Sequence, residues 1–287
     1  MTEVSPMDLP NFIPIHRAAP SMYGFERRAR EVLRRHLRAD DHTVLDMGCG
    51  NGLWRFLFPP DKSYTGIDVV NKLFSEKRAP NVAFSVAAAE NLPFRDESFD
   101  FILSSCVLEH VHDDLATVNE AFRVLRRGKY FFIVVPSVLS VIYHELPFLP
   151  LKLFGKNMGH GDRYYTRSRL LKVLTSAGFE IVSTGFSMGF WGNTLTILGT
   201  YKDIGLWYVR GLLNEFLPRP INNPMFTFSS VWGARNASEL CAAHAQELAQ
   251  QTIISRIYVG AQKTCYALDN AIPWPWGGEF AIVCKKP

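Results

Sequence analysis

Three glycines alternate at positions 48, 50 and 52, directly behind the apolar run Thr43-Val-Leu-Asp-Met47. Without Cβ atoms, these positions permit the dihedrals of a tight turn and let another molecule approach the main chain closely. A buried strand that exits into such a turn is the opening unit of an open parallel sheet. Ligands of those sheets sit beyond the carboxyl ends of the strands, where the first strand turns into its helix.

The rest of the chain continues that pattern. Short β-branched or aromatic runs at 43–47, 63–68, 82–86, 99–105 and 129–135 read as five successive strands, alternating with helical stretches. The clearest helix spans 113–126, with Val118, Ala121, Phe122 and Leu125 as its buried stripe and Asp113 or Asp114 as its N-cap. Farther on, the spacing predicts a helix stopped by Gly178, a strand from Phe179 to Thr184, and a last strand at 279–286. The fold class expected is α/β: a Rossmann-like, doubly wound, mostly parallel sheet with an antiparallel last strand and helical lid insertions.

Two connections are far longer than the roughly 2 to 6 residues usual in such folds. They divide the single domain, residues 1–287, into an N-terminal helical segment (1–40), a cofactor-binding half (41–136), a lid insertion (137–165), a helix and strand (166–184), an aromatic-rich helical substrate cap (185–278) and the last strand (279–287). The stretch 186–235 carries only six charged side chains yet includes Phe190, Trp191, Trp207, Tyr208, Phe216, Phe226, Phe228 and Trp232, so it must bury an apolar face against something. It reads either as a pocket lining or as a subdomain core or homodimer interface. A helix from Glu239 to about Tyr258 follows, with Asn236 and Glu239 in a capping-box relation.

Charge narrows the partners only mildly. The net charge is +4, and six arginines between Arg27 and Arg38 supply the local basicity. Phe25, Ala29, Val32, Leu33 and Leu37 recur there at helical spacing, which puts the arginines on the other face of an amphipathic helix. That face is a solvated surface, or a contact for nucleic acid or an anionic membrane. Cys49, Cys106, Cys241, Cys265 and Cys284 are scattered without the spacing zinc requires, so no metal is expected. The longest apolar run, 131–143, is broken at Pro136 and falls short of the roughly 20 residues of a spanning helix. A cytoplasmic protein without a transmembrane segment is expected, peripheral membrane contact remaining open.

The glycine spacing is GxGxG, preceded by Asp46, rather than the GxGxxG that cradles a pyrophosphate. An anion beside the turn would repel a pyrophosphate and attract a cation. S-adenosylmethionine joins an adenosine to a sulfonium and an ammonium group, and Asp68, some 20 residues on, is placed to accept from both hydroxyls of a ribose. At this point "VLDMGCGNG", "GIDVV", "AAENLPFRDESFDFILSSCVLEHV" and "EAFRVLRRGKYFFIVVP" resemble the successive motifs of class I S-adenosylmethionine-dependent methyltransferases, in the branch acting on small molecules and lipid-soluble quinones. The resemblance covers 43–136 closely and 160–184 loosely.

Residue by residue, the resemblance implies Asp46, Gly48, Cys49, Gly50 and Gly52 around the methionine portion, with Asp68 and Val69 at the ribose. It implies Ala88, Ala89 and Glu90 along adenine, and Ser104, Ser105 and His110 facing the cofactor from the end of the fourth strand. Ala88 stands where relatives commonly carry an aspartate for the adenine amino group, which leaves that bond to Glu90, the backbone or water. Arg127-Gly128-Lys129 replaces a Pro-Gly-Gly turn, so a changed loop and an intact fold are expected.

The activated methyl resides on the cofactor, so holding the nucleophile in line supplies most of the rate, and a base is needed only if the acceptor must lose a proton. Glu109, His110 and His112 follow the fourth strand; His112 and His160 are the candidate bases, and Tyr143, His144, Tyr164 and Trp191 the candidate acceptor contacts. The expected acceptor is a fairly apolar small molecule such as a lipid, quinone, polyketide or terpenoid, methylated on oxygen before nitrogen or carbon. An RNA or protein methyltransferase, and a non-catalytic cofactor- or ligand-binding partner subunit, are the alternatives; S-adenosylhomocysteine would be the product.

Overall fold

The five apolar runs pair side by side because each is short, β-branched and bounded by turn residues. The computed structural model describes residues 23–50, 52–70, 81–138, 164–187, 189–192, 194–195, 253–272 and 276–287. β1 (Thr43–Met47), β2 (Ser63–Asp68), β3 (Val82–Val86) and β4 (Phe99–Ser105) take the bounds expected from the sequence. β5 (Leu125–Pro136), β6 (Glu180–Phe186) and β7 (Glu279–Lys285) complete a seven-stranded sheet in the order β3-β2-β1-β4-β5-β7-β6. All its pairs are parallel except the two made by β7, which runs against both β5 and β6. A last strand reversed in this way brings its first residue, Glu279, to the carboxyl edge of β5, opposite Pro136.

Helices cover both faces. α1 (Tyr23–His36) packs Phe25, Ala29, Val32 and Leu33 onto one, where Phe25 lies 4.0 Å from the ring of Trp54. α2 (Asp114–Val124) and α3 (Arg167–Ser176) cover the other, closing over Leu45, Ile102, Phe131 and Ile133. Along β4, Phe101 and Leu103 enter the first core and Ile102 the second, the period-two alternation of a sheet buried on both sides. Asp113 is the N-cap of α2, accepting from Ala116 N at 2.9 Å, and Thr166 caps α3.

Three readings of the sequence need correction. α2 stops at Val124 and β5 begins at Leu125, four residues earlier than expected. Its stripe is therefore Thr117, Val118, Ala121 and Val124, with Phe122 only half-buried and Leu125 already in the strand. The chain passes Gly128 at a positive φ of 75°, and the β4–β5 register shifts between Phe99 and Phe101, so a bulge absorbs what had read as a loop. Second, the helix expected to end at about Tyr258 continues to Ala271, thirteen residues farther, as α4 (Ile253–Ala271), while residues 239–252 of that expected helix lie outside the described residues.

Third, the arginine face is only partly solvated. Arg34, Arg35 and Arg38 are exposed, but Arg28 donates to Phe186 O at 3.2 Å, to Glu31 and to Asn270 of α4, while Arg30 pairs with buried Glu26. Tyr266 of α4 donates to Glu31 at 2.7 Å, so α1 and α4 are joined by polar contacts across the sheet edge. Among the described residues, no helix is long and apolar enough to cross a membrane.

Candidate functional site

The turn after β1 is held by β2. Cys49 N donates to Ile67 O at 2.8 Å and Gly50 N to the Asp68 carboxylate at 2.9 Å, while the other Asp68 oxygen accepts from Val70 N at 2.9 Å. Gly48, Gly50 and Gly52 have φ values of 71°, 54° and 71°, the left-handed region that favours glycine. Their surroundings differ. A Cβ on Gly48 would lie 2.2 Å from Val107 Cγ2, whereas one on Gly50 would meet no atom within 4 Å. Gly48 lets β1 close against the segment after β4, and Gly50 has open space where a side chain would stand. A five-residue 3-10 helix, Leu53–Leu57, follows the turn where a full α-helix was expected.

Asp46 lies beneath that turn and is fully buried. One carboxyl oxygen accepts the Tyr64 hydroxyl; the other has no hydrogen-bond partner. Burial pushes its pKa up to about 7, the Asp68 charge adding to the push and the Tyr64 bond opposing it. The sequence placed an acid here but did not anticipate Tyr64, which faces it from β2 with the Asp46↔Gly66 register between them.

The other expected contacts separate into two groups. Asp68, exposed Val69 and Ala88, and Glu90 gather at the ends of β2 and β3, where Ala87 N donates to Asp68 O at 3.1 Å. Ser104 is buried beside Met47 in the β1–β4 register and Ser105 opens the turn that follows. Cys49 and Ala89, in contrast, bury their side chains in the two cores, so only their backbones are available to a ligand. Glu90 accepts from His112 N at 2.9 Å, which commits one of its oxygens to the loop after β4. His110 and His112 are exposed.

Across the sheet from β1, an acidic group comes together that sequence spacing did not reveal. Cys106, at a positive φ of 55° just past β4, places its thiol 3.9 Å from Glu279 Oε1. Ser187, after β6, donates to the other Glu279 oxygen. Glu109 is buried beside them, with its Oε2 lacking any partner. Burial pushes Glu109 up to about 8, Glu279 adds to the push, and bonds from its own backbone and from Cys106 oppose it. Tyr164 is half-buried, and its hydroxyl is raised by burial and by Glu109. Trp191 is 37% exposed, and its backbone N–H donates to the Asp269 carboxylate of α4 at 2.9 Å. Tyr143, His144, His160, Trp207 and Trp232, and the capping box at 236–239, lie outside the described residues. Among the described residues, no group of three or more His, Cys, Asp or Glu could hold a metal ion.

Three features therefore meet at the end of β1: space beside Gly50, the Asp68 carboxylate bonded to its N–H, and a buried Asp46 oxygen without a hydrogen-bond partner. A family model described as "Methyltransferase domain" matches residues 45–133, the span from within β1 to near the end of β5. A Mycolicibacterium smegmatis protein named "probable S-adenosylmethionine-dependent methyltransferase" is 29% identical over 185 residues, covering 61% of this chain and 69% of that protein. The phthiotriol/phenolphthiotriol dimycocerosates methyltransferase of Mycobacterium tuberculosis is 43% identical over 100 residues, 31% of this chain and 35% of its own length. For four other curated relatives the share of their length that is matched runs from 39% to 68%. A Bacillus halodurans C-125 crystal structure, provisionally named a methyltransferase, superposes with a TM-score of 0.50 at 16% identity, covering 90% of this chain and 98% of that one.

Proposed function

The chain belongs to the class I S-adenosylmethionine-dependent methyltransferases, and we propose that it methylates an oxygen of a fairly apolar small molecule such as a lipid, quinone, polyketide or terpenoid. The observation that carries the reading is the Asp68–Gly50 bond, which sets an acid and an open glycine backbone side by side at the end of β1. S-adenosylmethionine is the methyl donor; bound there, it supplies an activated methyl on a sulfonium.

The chain's own residues then have three tasks. Asp68 takes the ribose hydroxyls while its second oxygen continues to fix the turn. Asp46 offers its unpartnered oxygen to the cationic end, and Gly48, Gly50, Gly52, Ser104 and Ser105 shape the backbone around it. Val69 borders the ribose beside Asp68, and Ala88 and Glu90 bound the adenine side. Apolar acceptors agree with the relative named for dimycocerosates and with the aromatic content of 185–278, read as a substrate cap over the site with 137–165 as a lid. Exposed His112, its backbone anchored by Glu90, is the described candidate for removing a hydroxyl proton; His160 is the second.

Titration calorimetry with S-adenosylmethionine, on the wild type and on Asp68→Ala and Gly50→Val, tests the cofactor half. Micromolar binding lost in both variants is the expected result, and absence of binding by folded wild type would overturn it. Label transfer from methyl-labelled cofactor to apolar alcohols and phenols, compared with RNA and protein, then tests the acceptor class.

A further inference from the structure

Buried carboxylates in folded proteins are paired with cations or fully hydrogen-bonded, because an isolated buried charge is costly. Glu109 meets neither condition, and half-buried Glu279 beside it is hydrogen-bonded only by a thiol and a hydroxyl. Among the described residues neither has an arginine or lysine partner. Their polar contacts are the Cys106 thiol, the Ser187 hydroxyl and the Glu109 backbone, all neutral. Glu109 is 3% exposed, and its Oε2 has no partner at all.

Their place in the fold is equally specific. Glu109 follows β4 by four residues and Glu279 opens β7 opposite Pro136, so both lie at the carboxyl edge of the sheet. That edge is where ligands of this fold bind. The pair is carried by the ends of β4 and β7, and the Asp68–Gly50 corner that serves the donor by the ends of β1 and β2, on the other side of β4 in the strand order. Tyr164, an acceptor contact expected from the sequence, lies close enough to feel the Glu109 charge.

We infer that Glu109 and Glu279, joined through the Cys106 thiol, form an acceptor-side subsite that takes a protonated amine. A cation with N–H donors supplies what the pair lacks, namely a partner for Glu109 Oε2 and a positive charge beside which Glu109 can ionise next to Glu279. The inference rests on the methyl-transfer reading and deepens it: the acceptor is an amphiphile, apolar along its length and cationic at one group. The raised Glu109 gives the subsite a measurable signature. With Glu279, Cys106 and Tyr164 as the titratable groups around it, Glu109 is protonated at neutral pH in the free protein. A cation seated beside it favours the ionised form, so amine binding releases a proton to solvent.

The test is calorimetry on the full-length chain saturated with S-adenosylhomocysteine, using n-octylamine, n-octanol and octanoate as probes that share one tail. Runs at neutral pH in buffers of different ionisation enthalpy count the protons released. Octylamine should bind at least about tenfold more tightly than octanol, octanoate most weakly, and the amine alone should release close to one proton. Glu109→Gln should cost about tenfold in amine affinity and abolish the proton release, and Glu279→Gln should also weaken the amine, octanol binding being unchanged in both. Equal affinity for octylamine and octanol, no binding of either, or full amine affinity with proton release in Glu109→Gln would overturn the subsite. Failure of the wild type to bind S-adenosylhomocysteine would instead overturn the methyl-transfer reading beneath it. Retained S-adenosylhomocysteine binding shows each variant to be folded, and the wild-type probe series decides the matter even if one is not.

Discussion

Asp68 accepts the backbone N–H of Gly50 at 2.9 Å, so the acid at the end of β2 fixes the glycine turn at the end of β1 before any ligand arrives. Its second oxygen holds Val70 N, which makes one side chain the brace of two turns. Asp68→Ala should therefore lose more than a ribose contact. We expect cofactor affinity to fall by more than tenfold and the free protein to lose about 1–2 kcal/mol, read by calorimetry and denaturant unfolding. An unchanged unfolding midpoint with lost affinity would show that the brace is unimportant.

The alternating glycines should separate when substituted. Both are left-handed, so alanine carries a strain of about 1–2 kcal/mol at either. Gly48→Ala adds a clash with Val107 and should cost about 1–3 kcal/mol more in stability. Gly50→Ala meets open space, so its added effect should fall on cofactor affinity instead. Thermal unfolding and calorimetry on the pair would reveal the contrast, and equal loss of stability in both would contradict it.

Asp46 makes stability depend on pH in a fixed direction. Its unfolded value is near 3.9 and its folded value about 7, so between them the folded state holds a proton that the unfolded state has released. That contribution is full below about pH 4 and is lost as pH rises through about 7. Asp46→Asn keeps a partner for Tyr64 without the charge, and should gain stability relative to wild type from pH 5 to pH 8, by up to about 4 kcal/mol. Cofactor binding should respond oppositely: the cation favours ionised Asp46, so wild-type affinity rises between pH 6 and pH 8 while that of Asp46→Asn stays flat.

Much of this was legible in the sequence because the strands of a doubly buried sheet are short apolar runs between turn residues. β1 to β4 carry that pattern without interruption. β5 does not, since Leu125-Arg-Arg-Gly128 reads as the end of the preceding helix and only the bulge at Gly128 lets it pair. The donor corner was legible because Asp46, the glycines and Asp68 lie on consecutive elements. The Glu109–Glu279 pair was not, because an antiparallel last strand brings together residues at opposite ends of the catalytic fold. Tyr64 was missed for a similar reason: its partner is set by a parallel register, which spacing along one strand does not encode.

Asp100 is a third acid of another kind. One oxygen accepts from His42 N, Thr43 N and Thr43 Oγ1, at 2.9, 3.0 and 2.9 Å, and the other from Arg126 at 2.7 Å. Burial pushes its pKa upward, but Arg126 and those donors outweigh burial and hold it down to about 2. A depressed carboxylate stabilises above its unfolded value and loses that contribution as pH falls through about 2. Asp100→Asn should cost about 2–4 kcal/mol at neutral pH, with the gap to wild type closing below about pH 3. A gap that persists in acid would assign the loss to packing instead.

Glu90 tests how the site manages without the aspartate that relatives commonly carry at position 88. Its Oε1 accepts from His112 N at 2.9 Å, so the side chain proposed to border adenine also anchors the loop bearing a candidate base. If anchoring is its main task, a neutral acceptor serves as well as a charged one. Glu90→Gln should then keep S-adenosylhomocysteine affinity within about threefold, while Glu90→Ala, which leaves His112 N without its partner, should lose about tenfold. If the carboxylate charge instead does the work at the adenine amino group, Glu90→Gln would fall as far as Glu90→Ala. The ratio of the two dissociation constants, measured at one pH on protein of matched stability, separates a structural anchor from a charged adenine contact.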